Sequence, residues 1–370
     1  MSPVVIAGGG PAGAAAACLL ARAGTPVTLL ERDTGPRHKI CGEFLSREAL
    51  LYLTGLGVDA VGLGAAPIGA LRLVHGRRVI ETALPFQAAG WSRLAMDAAL
   101  LDRAAAAGAE IRRGVAVRGA GPEGLDVEGM VMKAPVLFLA TGKHDLRGTP
   151  RLPARSPEAL IGFKAHFKLA PAQRAALAGH VEVVLFRDGY AGLQMIEGGT
   201  ANLCLLIERA RFDAAGQDWP ALLTDLGRES EHLARRMEGA DMIQDRPLSI
   251  FRVPYGYVHN GAEALPGVFR LGDQAAVIPS FCGDGMSIAL HSAHLAAHTL
   301  LRGGGAPDYH AAMRRDVGRP VRLAAGLYRL GKSQAARRTI LAACGVWPGL
   351  MRVVAGQTRV PERAIRADVC

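Results

Sequence analysis

A four-residue apolar run, Val4-Val5-Ile6-Ala7, leads straight into Gly8-Gly9-Gly10-Pro11-Ala12-Gly13, and no other feature narrows the fold as far. A short β-branched run suits a strand buried in a parallel sheet. Residues 14–23 are rich in Ala and Leu, strong helix formers, and Gly24 offers the left-handed residue that ends such a helix. Pro26-Val27-Thr28-Leu29-Leu30 reads as a second strand with Glu31 at its end, which completes one βαβ unit.

Gly8, Gly10 and Gly13 fall at the spacing G-x-G-x-x-G, and each has a physical task. The first permits a tight turn out of the strand. The second lets backbone approach a pyrophosphate, and the third lets helix and strand pack closely. The helix N-terminus adds free N–H groups and partial positive charge. Glu31, about twenty residues on, is placed to accept hydrogen bonds from a ribose. The pattern predicts a dinucleotide cradle, and Glu31 alone suits FAD or NAD equally.

Further along, residues 68–84 read as two strands about His75-Gly76, 91–107 as a helix, 115–133 as three short extended pieces and 135–140 as a buried strand. Four strand-like runs, 161–169, 180–186, 190–197 and 201–208, are joined by short turns and predict an antiparallel sheet. A helix over 219–237, a strand near 250–255, a strand over 267–271 and a long helix over 283–301 follow. After Gly303-Gly304-Gly305 the chain reads as helical and basic.

Half of the 370 residues are hydrophobic and 21% are charged, which excludes a disordered or collagen-like chain. No long run free of charge and glycine reads as a membrane span, and the first residues lack the pattern of a signal peptide. The six cysteines show neither C-x-x-C nor zinc spacing, so the expectation is a cytoplasmic, reduced protein without a metal, with peripheral attachment to a membrane left open. The net charge of +10 is concentrated at the C-terminus, where residues 314–370 hold 12 Lys and Arg against 3 Asp and Glu. A local basic surface implies a local partner, an acidic carrier protein or an anionic membrane surface, or else a solvated face. No nucleic-acid motif accompanies the charge, so nucleic acid is not expected as a partner.

A second glycine-rich segment decides between the dinucleotides. Gly272-Asp273 follows the 267–271 strand, and Cys282-Gly283-Asp284-Gly285 opens the next helix. Asp273 could hold the ribityl chain of a flavin, and the helix N-terminus could face the pyrimidine end of its ring. Taken alone, Asp273 would read as a turn residue and the glycines as an ordinary start of a helix. Together, these residues resemble the FAD-dependent oxidoreductases of the para-hydroxybenzoate hydroxylase fold, and within it most nearly the geranylgeranyl reductase-like branch. The resemblance covers about residues 1–300 and rests on Gly8–Gly13 and on GDQAAVIPSFCGDGM at 272–286, which ends at Gly285-Met286. It implies that Asp273 contacts the ribityl chain, that KICGE at Lys39–Glu43, with Gly42, lies beside the ring, and that Arg93 lies near the FAD phosphates. Arg32 and Lys39 are further candidates to neutralise those phosphates, and Ala12 and Gly142 fall within the cofactor-binding segments. Thr141 stands where hydroxylases of this fold carry the Asp of an Asp-Gly motif, which argues against a standard NADPH-driven hydroxylase. No Trp-x-Trp-x-Ile-Pro halogenase signature is present, and Pro254-Tyr255-Gly256-Tyr257 is partly similar to a signature of the reductase branch.

The expected architecture is α/β: a doubly wound, Rossmann-like FAD-binding domain (1–67, 88–155, 256–303), an inserted antiparallel substrate domain (68–87, 156–255) and a helical basic C-terminal segment (304–370). In such a protein the flavin carries the redox step and the chain positions the substrate. Cys41 and Cys282, by resemblance, approach the ring, where a thiol either donates a proton or fills space. His166 shares a strand face with Lys164 and Lys168, read as a solvated edge rather than a cationic wall facing the flavin. Tyr190 is a candidate substrate-pocket donor, and His38 is expected to be exposed. The expected function is FAD-dependent oxidation or reduction of a hydrophobic or carrier-tethered small molecule, with C=C reduction or dehydrogenation ahead of an NAD(P)H-dependent monooxygenase. NAD(P)H is a possible electron donor. A non-catalytic flavin electron carrier is the remaining alternative.

Overall fold

The computed structural model describes residues 3–151, 160–251, 253–261 and 265–365. The expected domain boundary at 155/156 lies outside the described residues. Strand Val4–Ala7 is the centre of a five-stranded parallel sheet in the order Val268–Arg270, Val136–Leu139, Val4–Ala7, Val27–Glu31, Glu110–Arg113. Its alternating side chains serve two layers, as the period of a strand requires. Val4 and Ile6 pack with helices Pro11–Arg22, Arg93–Ala106 and Gly285–Leu301, whereas Val5 and Ala7 pack with Ala120, Leu125 and Val127. The latter three come from a small antiparallel sheet, Val117–Gly121, Gly124–Val127 and Met130–Met132, which caps the other face.

The second sheet has nine strands. Leu160–Lys168, Ala201–Glu208, Gly189–Met195 and Gly179–Phe186 run antiparallel in that order, and Gly179–Phe186 then pairs in parallel with Ala66–His75. Arg78–Gly90 and Phe44–Leu45 extend that side, and Asp241–Met242 and Leu248–Phe251 both pair with Leu160–Lys168. One face carries Ile161, Phe163, Leu193, Leu203 and Phe186 against helices Trp219–Glu229 and Glu231–Met237. The opposite face looks back toward the first sheet. Val181, Val183 and Leu185 on that face are half-buried although their strand is central, because they border a cavity.

The C-terminal helices Ala306–Lys332, Gln334–Val346 and Gly349–Gln357 cover the cavity. Ile80, Leu341, Cys344 and Met351 anchor the last two against the second sheet. Three details depart from the sequence reading. The helix expected over 219–237 breaks at Ser230, whose hydroxyl caps Leu233 N–H at 3.3 Å and starts a second helix. The strand expected near 250–255 spans Leu248–Phe251. Helix Arg47–Gly55, for which no signal was read, packs Tyr52 and Leu53 into the main core.

Candidate active site

A cavity of about 920 Å³ runs between the two sheets and on beneath the C-terminal helices. Its first part is the glycine turn. Gly8 has φ +109°, and a Cβ there would lie 2.4 Å from Ala140 O; one on Gly13 would lie 1.9 Å from Gly8 O. Gly10 meets only an Arg93 guanidinium nitrogen at 3.4 Å from a notional Cβ, so its open side faces the cavity. The three glycines thus do different work: two fit backbone to backbone and one leaves a cradle.

Glu31 is buried and already engaged. Its carboxylate accepts Gly9 N–H at 2.6 Å and Asp33 N–H at 2.9 Å, so it fixes the turn as well as facing the cavity. Each oxygen retains a second lone pair for a ribose hydroxyl. Arg93 lies beside the turn, paired through two 2.8 Å bonds to Asp97, and this carboxylate holds the guanidinium charged despite burial. Lys39 reaches the same Asp97 at 3.5 Å, and Arg32 contacts His144 Nε2 at 3.1 Å. Across the cavity, Gly272 (φ +58°) presents Asp273, and Gly283 (φ +69°) turns the chain into the helix that begins at Gly285. Ala12, Gly42, Gly142 and Met286 also border the space. This donor set fits FAD: an open helix N-terminus, a buried carboxylate at the strand end, cations at the turn and a second glycine bend opposite.

The segment Lys39–Glu43 forms the wall where the two sheets meet, and side chains from both hold its carbonyls. Lys143 Nζ donates to Ile40 O at 3.1 Å and Lys164 Nζ to Lys39 O at 3.0 Å. Asn202 Nδ2 donates to Gly42 O and Gln194 Nε2 to Glu43 O, each at 2.8 Å. Glu43 itself has φ +58°, a conformation few side chains adopt without local support. Its carboxylate accepts Arg93 N–H at 2.8 Å, pairs with Lys164 Nζ and meets His166 Nε2 at 2.8 Å.

This corrects the reading of Lys164 and His166 as a solvated edge. The pair is buried against Glu43, and only Lys168 on that face reaches solvent. Burial pushes the Glu43 pKa up, but the His166 hydrogen bond and the Lys164 charge outweigh it, and the carboxyl titrates below its ordinary range. His38, expected to be exposed, is half-buried, with its ring edge-on to His166 at 4.7 Å. Burial first, then the His166 and Lys164 charges, lower its pKa. Donor atoms of His38, Glu43 and His166 lie within 4.8 Å of one another, but the Lys164 ammonium already neutralises the carboxylate, so the group is an ion-pair cluster rather than a cation site.

Of the site residues expected from sequence, Gly13 and His166 alone do not border the cavity: Gly13 packs beneath the turn and His166 lies behind Glu43. Cys41, Tyr190 and Cys282 do border it. Cys41 Sγ accepts Glu43 N–H at 3.4 Å. Burial pushes the Cys282 thiol up to about 12, which makes it a space-filling group rather than a nucleophile. Burial and then neighbouring Tyr255 raise the Tyr190 phenol, so it keeps its proton at neutral pH. Sequence reasoning named Glu43 and Tyr255 only as members of two resembling segments, and passed over Lys143 and Cys204 as site residues. Burial pushes Cys204 up to about 11, and Tyr255 hydrogen-bonds Ser280 Oγ. Burial acts to lower the Lys143 pKa, but the Asp273 charge and its neighbours raise it by more, so the ammonium persists inside the cavity. The strand alternation Lys164–His166 was the visible signal, but nothing local showed which side of the sheet was covered.

Fold and site together define a flavin-binding protein. Residues 1–136 match the family described as "FAD binding domain". The chain is 26% identical over 339 residues to a menaquinone reductase of Mycolicibacterium smegmatis, covering 84% of this chain and 78% of that one. Among solved structures it is similar to the flavin-dependent brominase Bmp2 (TM-score 0.76, 18% identity, 99% and 96% of the two chains). It is also similar to the myxobacterial chondrochloren halogenase CndH (TM-score 0.74, 20% identity, 98% and 94%). The protein is an FAD-dependent oxidoreductase, which sets aside a purely non-catalytic carrier.

Proposed function

We propose that this enzyme reduces a carbon–carbon double bond in an elongated apolar molecule, such as a polyisoprenoid chain. Dehydrogenation is the same step reversed. One observation carries this reading. The cavity does not end at the Cys41–Tyr190 region but continues along the aliphatic side chains of Leu71, Leu73, Val183 and Leu185 to Ile340 and Met351, with Arg187, Asp188 and Arg337 also on its border. A long apolar substrate gains by leaving water for such a lining, whereas a small polar aromatic would leave most of it unfilled. The menaquinone reductase relatives support a quinone bearing a long apolar tail, and the likeness of KICGE to the geranylgeranyl reductase-like branch supports reduction.

A bound flavin, once reduced by a donor such as NAD(P)H, would supply the two electrons as a hydride and return to its oxidised form. The chain does the rest. Gly8, Gly10, Glu31, Arg93 and Asp273 hold the cofactor, and the clamped Lys39–Glu43 segment sets the wall at its ring. Saturating a double bond also needs one proton. The Tyr190 and Tyr255 phenols, the Cys41 thiol and the Lys143 ammonium all border the cavity and are the candidates to hold that proton. His166 acts only through Glu43, as a positioning residue.

The test is anaerobic. NADH and NADPH are titrated into the purified enzyme while flavin bleaching is followed at about 450 nm, and the reduced enzyme is mixed with isoprenoid quinones of stepped chain length. The expected product has gained two hydrogens without oxygen present. Consumption of NAD(P)H only in air, with an oxygen atom in the product, would overturn the reading in favour of a monooxygenase.

A further inference from the structure

We propose that the outer face of helices Gln334–Val346 and Gly349–Gln357 docks on an anionic lipid surface, with the Val346-Trp347 corner among the acyl chains. The inference deepens the reading of an apolar substrate and rests on it only for the route by which that substrate arrives.

Between Asp316 and Glu362 the chain has eight Lys and Arg and no acidic residue. Arg337 and Arg359 turn inward, to the carbonyls of Phe186 and Arg187 and to Asp284. Arg319, Arg322, Arg329, Arg338 and Arg352 are exposed, and none forms an ion pair with a carboxylate among the described residues. Arg338 and Arg352 lie on the two docking helices and the other three on the preceding helix Ala306–Lys332, and no acidic residue is interleaved with them in the sequence.

The apolar component is equally one-sided. Helix Gln334–Val346 buries Arg337, Leu341 and Cys344 and presents Arg338, Ala342 and Val346 at a spacing of one turn. Helix Gly349–Gln357 buries Met351 and Ala355 and presents Arg352 and Val353. At the corner between them Val346 is 89% exposed and Trp347 59%. Tryptophan at a bilayer interface keeps its ring in an apolar layer and its N–H hydrated, and flanking arginines attract anionic headgroups. The stretches 334–346 and 349–364 together have the apolar composition of a span, but neither is long enough alone and the chain bends by 114° between them, a shape that suits a pair resting on a surface. An acidic carrier protein would engage the arginines but leaves the protruding corner without an apolar phase to enter.

The inner faces of the same helices, through Ile340, Cys344, Leu350, Met351 and Val354, line the apolar end of the cavity. Lipid surface and cavity are therefore separated by the thickness of one helix layer.

The experiment uses the FAD-loaded protein and vesicles of phosphatidylcholine with or without phosphatidylglycerol. Trp91 and Trp219 are buried and out of reach of lipid, so a vesicle-dependent change in the summed emission belongs to Trp347. Anionic vesicles are expected to pellet the protein, shift Trp347 emission to the blue and, when their acyl chains carry bromine, quench it. The double variant Arg338→Glu/Arg352→Glu is expected to lose at least tenfold in partitioning, with unchanged flavin content as the control for folding. Trp347→Phe should remove the spectral change. Equal pelleting of the double variant, an unquenched Trp347 on bound vesicles, or binding to an acidic carrier protein without binding to vesicles would each overturn the proposal. Vesicle binding is read without substrate, so it stands or falls separately from the reduction chemistry.

Discussion

Gly10 and Gly13 are three residues apart and answer a side chain in opposite ways. At Gly10 a side chain would enter the cavity and meet only the end of Arg93, so Gly10→Val should fold but lose at least about tenfold in FAD retained through purification, read as the ratio of flavin to protein absorbance. At Gly13 a Cβ strikes Gly8 O at 1.9 Å, so Gly13→Ala should lower the thermal midpoint by several degrees even when measured without FAD. Equal melting temperatures for the two apo variants would contradict this division. Glu43 makes a second residue-scale test. Glu43→Gln leaves the Lys164 ammonium buried without its counter-charge, and breaking such a pair costs about 3–5 kcal/mol. Urea unfolding should show that loss, and Lys164→Met added to Glu43→Gln should recover part of it, the signature of a coupled pair. The sign with pH follows from the lowered Glu43 pKa. Its contribution is complete above the ordinary carboxylate range and is lost as pH falls through the folded value. Residue-scale logic was legible where chemistry is local: the glycine spacing and Glu31 announce themselves in 31 residues. It was not legible for Lys164, because burial of that side chain is decided by Glu43, which is 121 residues away in the chain.

At the scale of elements, helix Ala306–Lys332 is fastened to strand Val268–Arg270 by two bonds. Tyr309 O–H donates to Arg270 O at 2.7 Å, and His310 Nε2 accepts Arg270 N–H at 3.1 Å. The second bond requires a neutral imidazole. Burial, then neighbouring His259 and the Arg270 and Arg314 charges, lower His310 to about 3; burial and the same arginines lower His259 to about 4. Both values lie below those of the unfolded chain, so stability is full above about pH 6.5 and declines as pH falls toward 4, by up to about 1.4 kcal/mol per pH unit for each ring. Calorimetry between pH 7 and 5 should show that decline, and His310→Gln, which keeps an acceptor, should make it shallower while His259 retains its share. An unchanged slope in the variant would remove His310 from the account. Such pins were invisible in the sequence for the same reason that helix Arg47–Gly55 was: their partners are remote. The strands fared better, since runs such as 135–140 and 201–208 carry their β signal within themselves. The 219–237 helix failed at Ser230, where a capping hydroxyl outweighs a continuous apolar periodicity.

For the whole molecule, the decisive feature is that the second sheet has two unlike faces. One packs Phe163, Leu203 and Phe186 into a closed core, and the other stays open from Cys204 and Tyr190 to Leu73 and Val183, roofed by helices from the far end of the chain. Alternation along each strand showed that two faces exist, but only the docking of the C-terminal helices makes one of them a channel. That division yields a test of function distinct from cofactor binding. Val183 lies in the aliphatic stretch, away from the glycine turn. Val183→Trp should therefore leave flavin content and NAD(P)H-dependent bleaching as in the unaltered enzyme. It should raise KM for a long polyisoprenoid substrate by about tenfold or more, the order expected when a bulky ring displaces several buried methylenes. A short analogue that stops before Val183 should turn over as before. If the long and short substrates respond alike, the aliphatic stretch does not hold the tail, and the channel is filled by something other than substrate.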